Sequence, residues 1–274
     1  PVMTTILSLG AGVQSSTLAL MAAAGEITPM PDIAIFADTG WESAVVYKWL
    51  AFLESVLPFP VTRVGGGDLR GQQVRARVRG RAGDGERFAA LPYFTKNEDG
   101  SIGMIRRQCT KEYKITPIDH FIRHELLSLK HRQRAPKEQV IEQWYGISLD
   151  EITRCKSEFT EPWRRNRYPL IEKRMTRGHC LEWLTANGFP PAPRSACLGC
   201  PFHSDEEWQR IKDGPAAEWA DVVEFDRAIR RVGGVRGETF LHRSCVPIDE
   251  VKFQTAINAG QYSFLDECEG GCGV

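Results

Sequence analysis

The sequence lacks an excess of charge, a long apolar run and an internal repeat, and each absence excludes a class of protein. Lysine plus arginine and aspartate plus glutamate number 35 each, so no overall field draws the chain to nucleic acid or an anionic membrane. No apolar run approaches the roughly 18 residues of a membrane span. The first residues lack the basic and apolar segments of a signal peptide. We therefore expect a cytoplasmic protein without membrane contact, in which any nucleic-acid binding is local.

Cysteine is well represented, with eight residues in a chain that shows no export signal. Cytosolic reductants keep most cysteines reduced, which argues against a disulfide framework. We expect free thiols, metal ligands or redox groups instead. At 274 residues the chain is long enough for one large domain, or for a domain with an appended lobe.

The first third of the sequence alternates short apolar runs with stretches of helical periodicity. These patterns predict β-strands at 4–9, 33–37 and 61–64, and helices at 15–24 and 41–56. A repeated strand–helix order is typical of a parallel sheet with helices on both faces. We therefore predict an α/β fold with a Rossmann-like doubly wound parallel sheet, whose ligand site follows the carboxyl ends of its strands.

The later part of the sequence predicts one more strand, at 140–147, followed mainly by helices. Thr176 is a suitable N-cap for a helix that stops before Gly188. Ser204 and Glu207 have the spacing of a capping box, and a further helix is predicted over 215–232. This part is expected to form a lobe of its own.

Residues 65–107 have no apolar face, and we expect a mobile insertion there. Its arginines alternate with small residues, at Arg75, Arg77, Arg79 and Arg81. Arginine pairs phosphate bidentately, so the insertion could line a nucleic-acid path or clamp phosphates. A solvated surface with weak ion pairs is the alternative.

A glycine- and serine-rich turn follows the first predicted strand, over residues 8–16, and leads directly into a helix. Glycines let backbone amides curl around an anion, and a helix N-terminus adds partial positive charge. The Walker lysine and the dinucleotide G-x-G-x-x-G pattern are both absent. The turn therefore predicts a different kind of phosphate site, or a simple turn between two elements.

Several segments resemble one family when taken in order. Residues 8–16 resemble the PP-loop of ATP pyrophosphatases, and Asp38-Thr39-Gly40 resembles a segment of phosphoadenosine phosphosulfate reductases at the same point of the fold. Similar segments follow at 107–118, 144–154, 167–183 and 195–201. The chain thus resembles the PP-loop (adenine nucleotide alpha hydrolase-like) superfamily, and within it the phosphoadenosine phosphosulfate reductase family.

The resemblance implies a PP-loop nucleotide-binding domain over 1–175, with the insertion inside it, and a C-terminal cysteine-containing lobe over 176–274. It implies an adenine nucleotide as ligand, either ATP with Mg²⁺ or a phosphosulfate nucleotide. The residues implied to bind it are Ser8, Gly10, Gly12, Gln14, Ser15, Ser16, Asp38, Thr39, Gly40, Lys114, Gly146 and Arg154.

The same resemblance implies a metal centre on Cys109, Cys197 and Cys200. Soft thiolates select iron–sulfur clusters or zinc, and a 4Fe-4S cluster is expected, with zinc as the alternative. Gln108 stands where the family has a further cysteine. The fourth ligand is therefore left open among Cys155, Cys180, Cys245 and His203, and a bare redox pair at Cys197 and Cys200 is the third option.

The last residues carry two cysteines, Cys268 and Cys272, among glycines and acidic residues. This segment resembles the tail of sulfonucleotide reductases, whose cysteine attacks a bound sulfate. The resemblance therefore implies catalytic roles for Cys268 and Cys272, together with Asp38. A frayed terminus is the alternative.

Three functions are compatible with these features. The first is ATP-dependent adenylation of a nucleic acid or nucleoside, followed by transfer of sulfur from a donor. The second is reduction of a phosphosulfate nucleotide with the help of a thioredoxin-like reductant. The third is a non-catalytic, zinc-stabilised nucleic-acid binding protein. The first is expected.

Overall fold

The computed structural model describes residues 3–65, 67–76, 89–156 and 161–254. These residues form an α/β fold around a five-stranded, all-parallel sheet. Its strands are β1 Thr4–Ser8, β2 Ile33–Asp38, β3 Val61–Gly65, β6 Ile141–Tyr145 and β7 Arg164–Arg167. The predicted α/β class and the parallel sheet are confirmed.

The strand order β3-β2-β1-β6-β7 places β1 at the centre of the sheet. The chain first moves outward from β1 through β2 to β3, and later returns to the other side of β1 with β6 and β7. The direction of the strand order therefore reverses between β1 and β6. In open parallel sheets, ligands bind beyond the carboxyl ends of the strands at such a reversal.

Eight α-helices and three further helical turns accompany the sheet in the described ranges. The helices are α1 Val13–Ala23, α2 Ala44–Val56, α3 Leu69–Val74, α4 Thr116–Phe121, α5 Pro169–Glu172, α6 Arg177–Ala186, α7 Asp205–Asp213 and α8 Ala216–Ala228. Two π-helical turns, Lys111–Ile115 and Ile122–Leu126, flank α4, and a 3-10 turn covers Leu149–Arg154. The predicted N-caps are confirmed: the side chains of Thr176 and Ser204 accept hydrogen bonds from the amides of His179 and Glu207.

Apolar side chains cover both faces of the sheet. On one face, α1, α2 and α6 pack around buried residues that include Leu18, Leu50, Trp144 and Leu184. On the other face, α4 and its flanking turns pack Ile118 and Ile122 against the strands. Burial on both faces is why β2 is apolar almost throughout. α6, which was expected in the C-terminal lobe, packs directly on α1.

A second core lies beside the sheet, around α7 and α8. Large side chains from distant parts of the sequence meet there, including Tyr93, Tyr113, Trp208, Phe225 and Leu241. A small antiparallel sheet borders this region, with β4 Phe94–Lys96 between β5 Ile102–Met104 and β8 Glu238–Phe240.

Residues 65–107 were predicted to form a mobile insertion without an apolar face, but the described part of this segment contains a helix and buried residues. Leu69–Val74 form α3, and Ala89, Ala90, Leu91 and Tyr93 are buried in the second core. The amide of Ala90 donates to Oε1 of Gln73 at 2.7 Å, which ties Ala90 to α3. These residues show no local periodicity in the sequence because they pack against side chains that lie far away in the chain. Arg77, Arg79 and Arg81 lie outside the described residues, and Arg75 is the C-cap of α3.

Within the described part of the chain, no helix has the length and apolar character needed to cross a membrane.

Candidate functional site

The turn after β1 has an uncommon backbone conformation. Ala11 is fully buried and has a φ of +56°, and Gly12 is extended as the N-cap of α1. A residue other than glycine rarely occupies the left-handed region, and such strain is concentrated at functional sites. The Ser15 hydroxyl accepts a hydrogen bond from the Gly10 amide at 3.1 Å and donates to the Gly12 carbonyl at 3.4 Å. The turn is therefore a fixed structure that ends at the N-terminus of α1.

Two of the predicted phosphate-binding serines are instead used inside the protein. The Ser8 hydroxyl accepts from Nε2 of Gln143 on β6 at 2.8 Å, and the Ser16 hydroxyl accepts from Nε1 of Trp49 on α2 at 2.8 Å. Both serines are buried. They fix β1 to β6 and α1 to α2. Ser15 is the serine whose hydroxyl takes part in the turn itself.

The carboxyl end of β6 lies directly against the first turn of α1. A Cβ atom on Gly146 would lie 2.6 Å from Cα of Ser15, so only glycine fits at this position. Next to it, Nε2 of Gln14 donates to Oε2 of Glu151 at 3.2 Å, and Arg154 forms an ion pair with the same carboxylate. Gln14 and Arg154, both predicted to bind phosphate, thus meet at Glu151.

The end of β2 contributes Asp38, Thr39 and Gly40 beside the turn. Oδ1 of Asp38 accepts from the Gly40 amide and from the Tyr47 hydroxyl, each at 2.8 Å. Burial and then the hydrogen bond to Asp38 raise the pKa of Tyr47, so it stays protonated and remains a donor. Gly40 has a φ of +72°, which suits glycine. The Asp38 carboxylate, predicted to be catalytic, is therefore held in a fixed position by two donors.

The cysteine turn docks onto both strand ends. The Ser195 hydroxyl donates to the Gly10 carbonyl, and the Leu198 amide donates to the Trp41 carbonyl at 2.8 Å. A Cβ atom on Gly199 would lie 2.0 Å from the Trp41 ring. The turn that carries Cys197 and Cys200 is thus placed beside the turn after β1.

A buried carboxylate lies beneath this junction. Glu42 is 6% exposed, and its Oε1 accepts from the Thr39 hydroxyl at 3.1 Å and lies 3.8 Å from Nζ of Lys114. Within the described ranges, its Oε2 has no hydrogen-bond partner. Lys114, predicted to bind phosphate, is therefore paired with a carboxylate. Glu42 had no predicted role, although its position four residues after Asp38 could have marked it.

Cys197 is part of the same buried group. Its thiol lies 3.3 Å from the Thr39 hydroxyl and donates to Oε1 of Glu42 at 3.6 Å. Burial raises the pKa of the Cys197 thiol well above its usual value, and the Glu42 charge raises it further. The thiol is therefore neutral near pH 7 in this arrangement.

The three expected metal ligands lie in the same region of the molecule. Cys109 is half-buried against the second core, which also contains Cys197, and Cys200 is half-buried on the neighbouring turn. Among the residues that the structure describes, however, no group of three or more His, Cys, Asp and Glu side chains is placed to hold a metal ion. The cluster or zinc ion expected at these thiols therefore stays a prediction.

The four candidates for the fourth ligand lie in different places. His203 is on the cysteine turn, where its Nε2 lies 3.0 Å from the Cys197 carbonyl, and burial lowers its pKa to about 3. Cys180 lies on the buried face of α6, and burial raises its pKa to about 12. Cys155 follows Arg154, and Cys245 lies 3.9 Å from the Thr95 carbonyl of β4. His203 alone of the four shares a turn with Cys197. Cys268 and Cys272 lie outside the described residues.

The arrangement is suited to binding an anion. A buried left-handed residue, the N-terminus of an 11-residue helix and the reversal point of the sheet coincide after β1. Unpaired amides and the dipole of such a helix favour phosphate.

A scan of the chain against models of protein families finds no match, and a search among curated proteins finds none either.

Proposed function

We propose that the protein is a PP-loop enzyme that binds an adenine nucleotide by its phosphates at the turn over residues 8–16. The observation that carries the proposal is the buried, left-handed Ala11 immediately before the N-terminus of α1. Backbone amides of such a turn can face an anion without any lysine, which accounts for the missing Walker motif. The position at the reversal between β1 and β6 supports the same conclusion.

The proposed reaction uses ATP to activate an oxygen of a nucleic acid or nucleoside. The acceptor oxygen attacks the α-phosphorus, an O–P bond forms, the bond to the bridging oxygen breaks, and pyrophosphate leaves. A hydrosulfide-level sulfur donor then attacks the activated carbon, so that a C–S bond forms, the C–O bond breaks, and AMP leaves. Mg²⁺ bound to the phosphates would screen their charge. Catalysis then depends mainly on positioning and charge neutralisation.

The chain's own groups have distinct parts in this proposal. The turn and the first amides of α1 bind phosphate, and Asp38 is oriented by Gly40 and Tyr47 at the next strand end. The cysteine turn covers the site from the side of β2. Cys197, buried and neutral, is not suited to be the sulfur nucleophile. The metal centre on Cys109, Cys197 and Cys200 stays a prediction, and the proposed reaction does not depend on it.

The test compares two nucleotide reactions in the same preparation. One arm supplies ATP, Mg²⁺, sulfide and bulk transfer RNA or nucleosides, and measures AMP, pyrophosphate and thiolated product. The other arm supplies adenosine phosphosulfates with thioredoxin and measures sulfite. We expect acceptor-dependent AMP in the first arm. Sulfite in the second arm would assign the alternative, sulfonucleotide reduction, and no turnover or nucleotide binding in either would refute the proposed enzyme.

A further inference from the structure

A second group of reactive side chains lies away from the phosphate site, where α7 meets the segment after β8. Nδ1 of His242 is 2.7 Å from the Ser244 hydroxyl, and its Nε2 is 3.3 Å from Oδ1 of Asp205. Thirty-seven residues separate Asp205 from His242 in the sequence. The two contacts join a hydroxyl, an imidazole and a carboxylate in one chain of polar contacts.

The hydrogen bonds define which nitrogen of His242 carries the proton. The Ser244 amide, which can only donate, lies 3.2 Å from Nδ1. Nδ1 is therefore the acceptor, and Nε2 carries the hydrogen that it donates to the Asp205 carboxylate. The neutral imidazole is oriented by a carboxylate on one side and contacts a serine hydroxyl on the other. This is the geometry of a general base next to a nucleophile.

The three side chains differ in burial, as expected for a buried base beside an accessible nucleophile. Asp205 and His242 are each 5% exposed, whereas Ser244 is exposed. The Phe253 ring packs edge-on against the imidazole, with 5.8 Å between ring centroids. The carboxylate and the base are thus shielded from water, and the hydroxyl is accessible.

The group opens into a cavity of about 410 Å³. This volume lies in the range of roughly 300–1,000 Å³ that small-molecule sites occupy. Val246 and Val251 contribute apolar surface, and the positive charges of Arg243 and Lys252 are balanced by Asp205 and Glu250, with Arg243 paired to Asp205 at 2.8 Å. The cavity is therefore suited to a small uncharged molecule that carries an apolar part and a carbonyl group.

The backbone around Ser244 is held in place by buried interactions. The Asp226 carboxylate, which is fully buried, accepts from the Leu241 amide at 2.9 Å and from the Ile248 amide at 3.2 Å. The Cys245 amide donates to the His242 carbonyl at 3.0 Å, and Cys245 has a φ of +51°. The sharp turn that results presents the Ser244 hydroxyl to the cavity rather than to the core.

We propose that Ser244, His242 and Asp205 form a second active site, which hydrolyses small carboxylic esters. Oγ of Ser244 attacks the ester carbonyl carbon and its proton passes to Nδ1 of His242, so an O–C bond forms. The tetrahedral intermediate collapses, its bond to the alcohol oxygen breaks, and the alcohol leaves with the proton from Nδ1. Water then attacks the acyl-serine by the same route and releases the acid.

The pH dependence of this site follows from the groups around His242. Asp205 on α7, Arg243 on the same turn and Asp226 on α8 are the charged groups that face the imidazole. Burial lowers the pKa of His242, and the Asp205 hydrogen bond opposes this shift. Reactivity of Ser244 is therefore expected to be constant near neutral pH and to fall in acid as Nδ1 becomes protonated.

The test is labelling of the full chain by a fluorophosphonate, followed by intact mass and peptide mapping, with hydrolysis of p-nitrophenyl butyrate measured in parallel. We expect one phosphonyl group on Ser244 and ester hydrolysis, both absent in Ser244→Ala and slowed roughly 100-fold in His242→Gln. Ser55→Ala, an exposed serine on α2, is the matched control and should label like the wild type.

Three results would overturn the proposal: no labelling of the wild type, labelling at another serine, or equal rates in the wild type and Ser244→Ala. Thermal unfolding of each variant shows whether it is folded. Asp205→Asn adds a second readout, because loss of the carboxylate should move the half-rate point of the pH profile to lower pH. ATP binding, measured in the same Ser244→Ala preparation, should equal that of the wild type, which keeps this proposal separate from the proposed nucleotide enzyme.

Discussion

The hydroxyl of Ser195 donates a hydrogen bond to the carbonyl of Gly10, although 185 residues separate the two in the sequence. A Cβ atom added to Gly12 would also lie 3.1 Å from Cβ of Ser195. The cysteine turn and the turn after β1 are therefore one packed unit. Any change that displaces one of them should displace the other.

A methyl group at Gly199 tests this packing. Gly199→Ala places a Cβ atom 2.0 Å from the Trp41 ring, so the cysteine turn must move away from β2. We expect a loss of about 1–3 kcal/mol in the free energy of unfolding, as for overpacked cores, together with weaker ATP binding. Urea unfolding and calorimetric titration measure the two effects.

Gly178→Ala is the matched control for Gly199→Ala, because its Cβ atom would meet nothing closer than the Thr176 hydroxyl at 3.6 Å. Gly178 lies in α6, where alanine is favoured over glycine by roughly 0.5–1 kcal/mol. This variant should be at least as stable as the wild type. Equal stability of the two variants would contradict the docking of the cysteine turn on Trp41.

Gly146→Ala tests the contact between β6 and α1. The added Cβ atom would lie 2.6 Å from the backbone of Ser15, so the first turn of α1 must shift. We expect the affinity for ATP to fall by on the order of tenfold, or about 1.4 kcal/mol. Gly65→Ala, at the end of β3, is the control, because its nearest contact is 3.9 Å away. Unchanged ATP affinity in Gly146→Ala would show that this end of α1 does not bind the nucleotide.

The pair of Glu42 and Lys114 predicts a coupled effect on stability. Lys114→Met removes the cation 3.8 Å from a carboxylate that is almost fully buried. Breaking a buried pair costs about 3–5 kcal/mol, because a charge is left without its partner. The double variant Glu42→Gln with Lys114→Met should be more stable than Lys114→Met alone. A double-mutant cycle by urea unfolding checks this, and strict additivity would contradict the pairing.

The raised pKa of Tyr47 predicts that the protein loses stability in alkali. Its folded-state pKa is raised above the ordinary 10.0, first by burial and then by its hydrogen bond to Asp38. A raised pKa gives stability that is fully present below pH 10 and is lost as the pH rises further, when the unfolded chain ionises more readily. Tyr47→Phe should therefore lose less stability between pH 10 and 11 than the wild type. Identical pH profiles would be evidence against the Tyr47–Asp38 hydrogen bond.

The sheet and the turn after β1 could be predicted because their signals are local. The runs that form β1 and β2 are apolar, Thr176 and Ser204 cap the helices that follow them, and the turn is rich in glycine and serine. Each of these signals depends only on residues that are close together in the sequence. The parallel pairing of β1, β2 and β3 also follows from the βαβ repetition at the start of the chain.

The remaining features depend on contacts between residues far apart in the sequence. Ala90 is ordered by Gln73, Glu42 is buried against Lys114, and His242 meets Asp205 across 37 positions. Ser8 and Ser16 were predicted to bind phosphate because they belong to the turn by sequence. Only the packing of Gln143 and Trp49 shows that their hydroxyls are already engaged.

Phosphate is proposed to bind at the N-terminus of α1, and a charge placed at the N-cap of this helix tests that proposal. Gly12→Asp puts a negative charge where the phosphates are proposed to lie, but its Cβ atom would also lie 3.1 Å from Cβ of Ser195. Gly12→Asn is the matched control, because it makes the same contact without the charge, and thermal unfolding checks both variants. We expect calorimetric ATP binding by the wild type and Gly12→Asn, and binding by folded Gly12→Asp at least tenfold weaker than that of Gly12→Asn, about 1.4 kcal/mol. Equal ATP binding by all three proteins would contradict it.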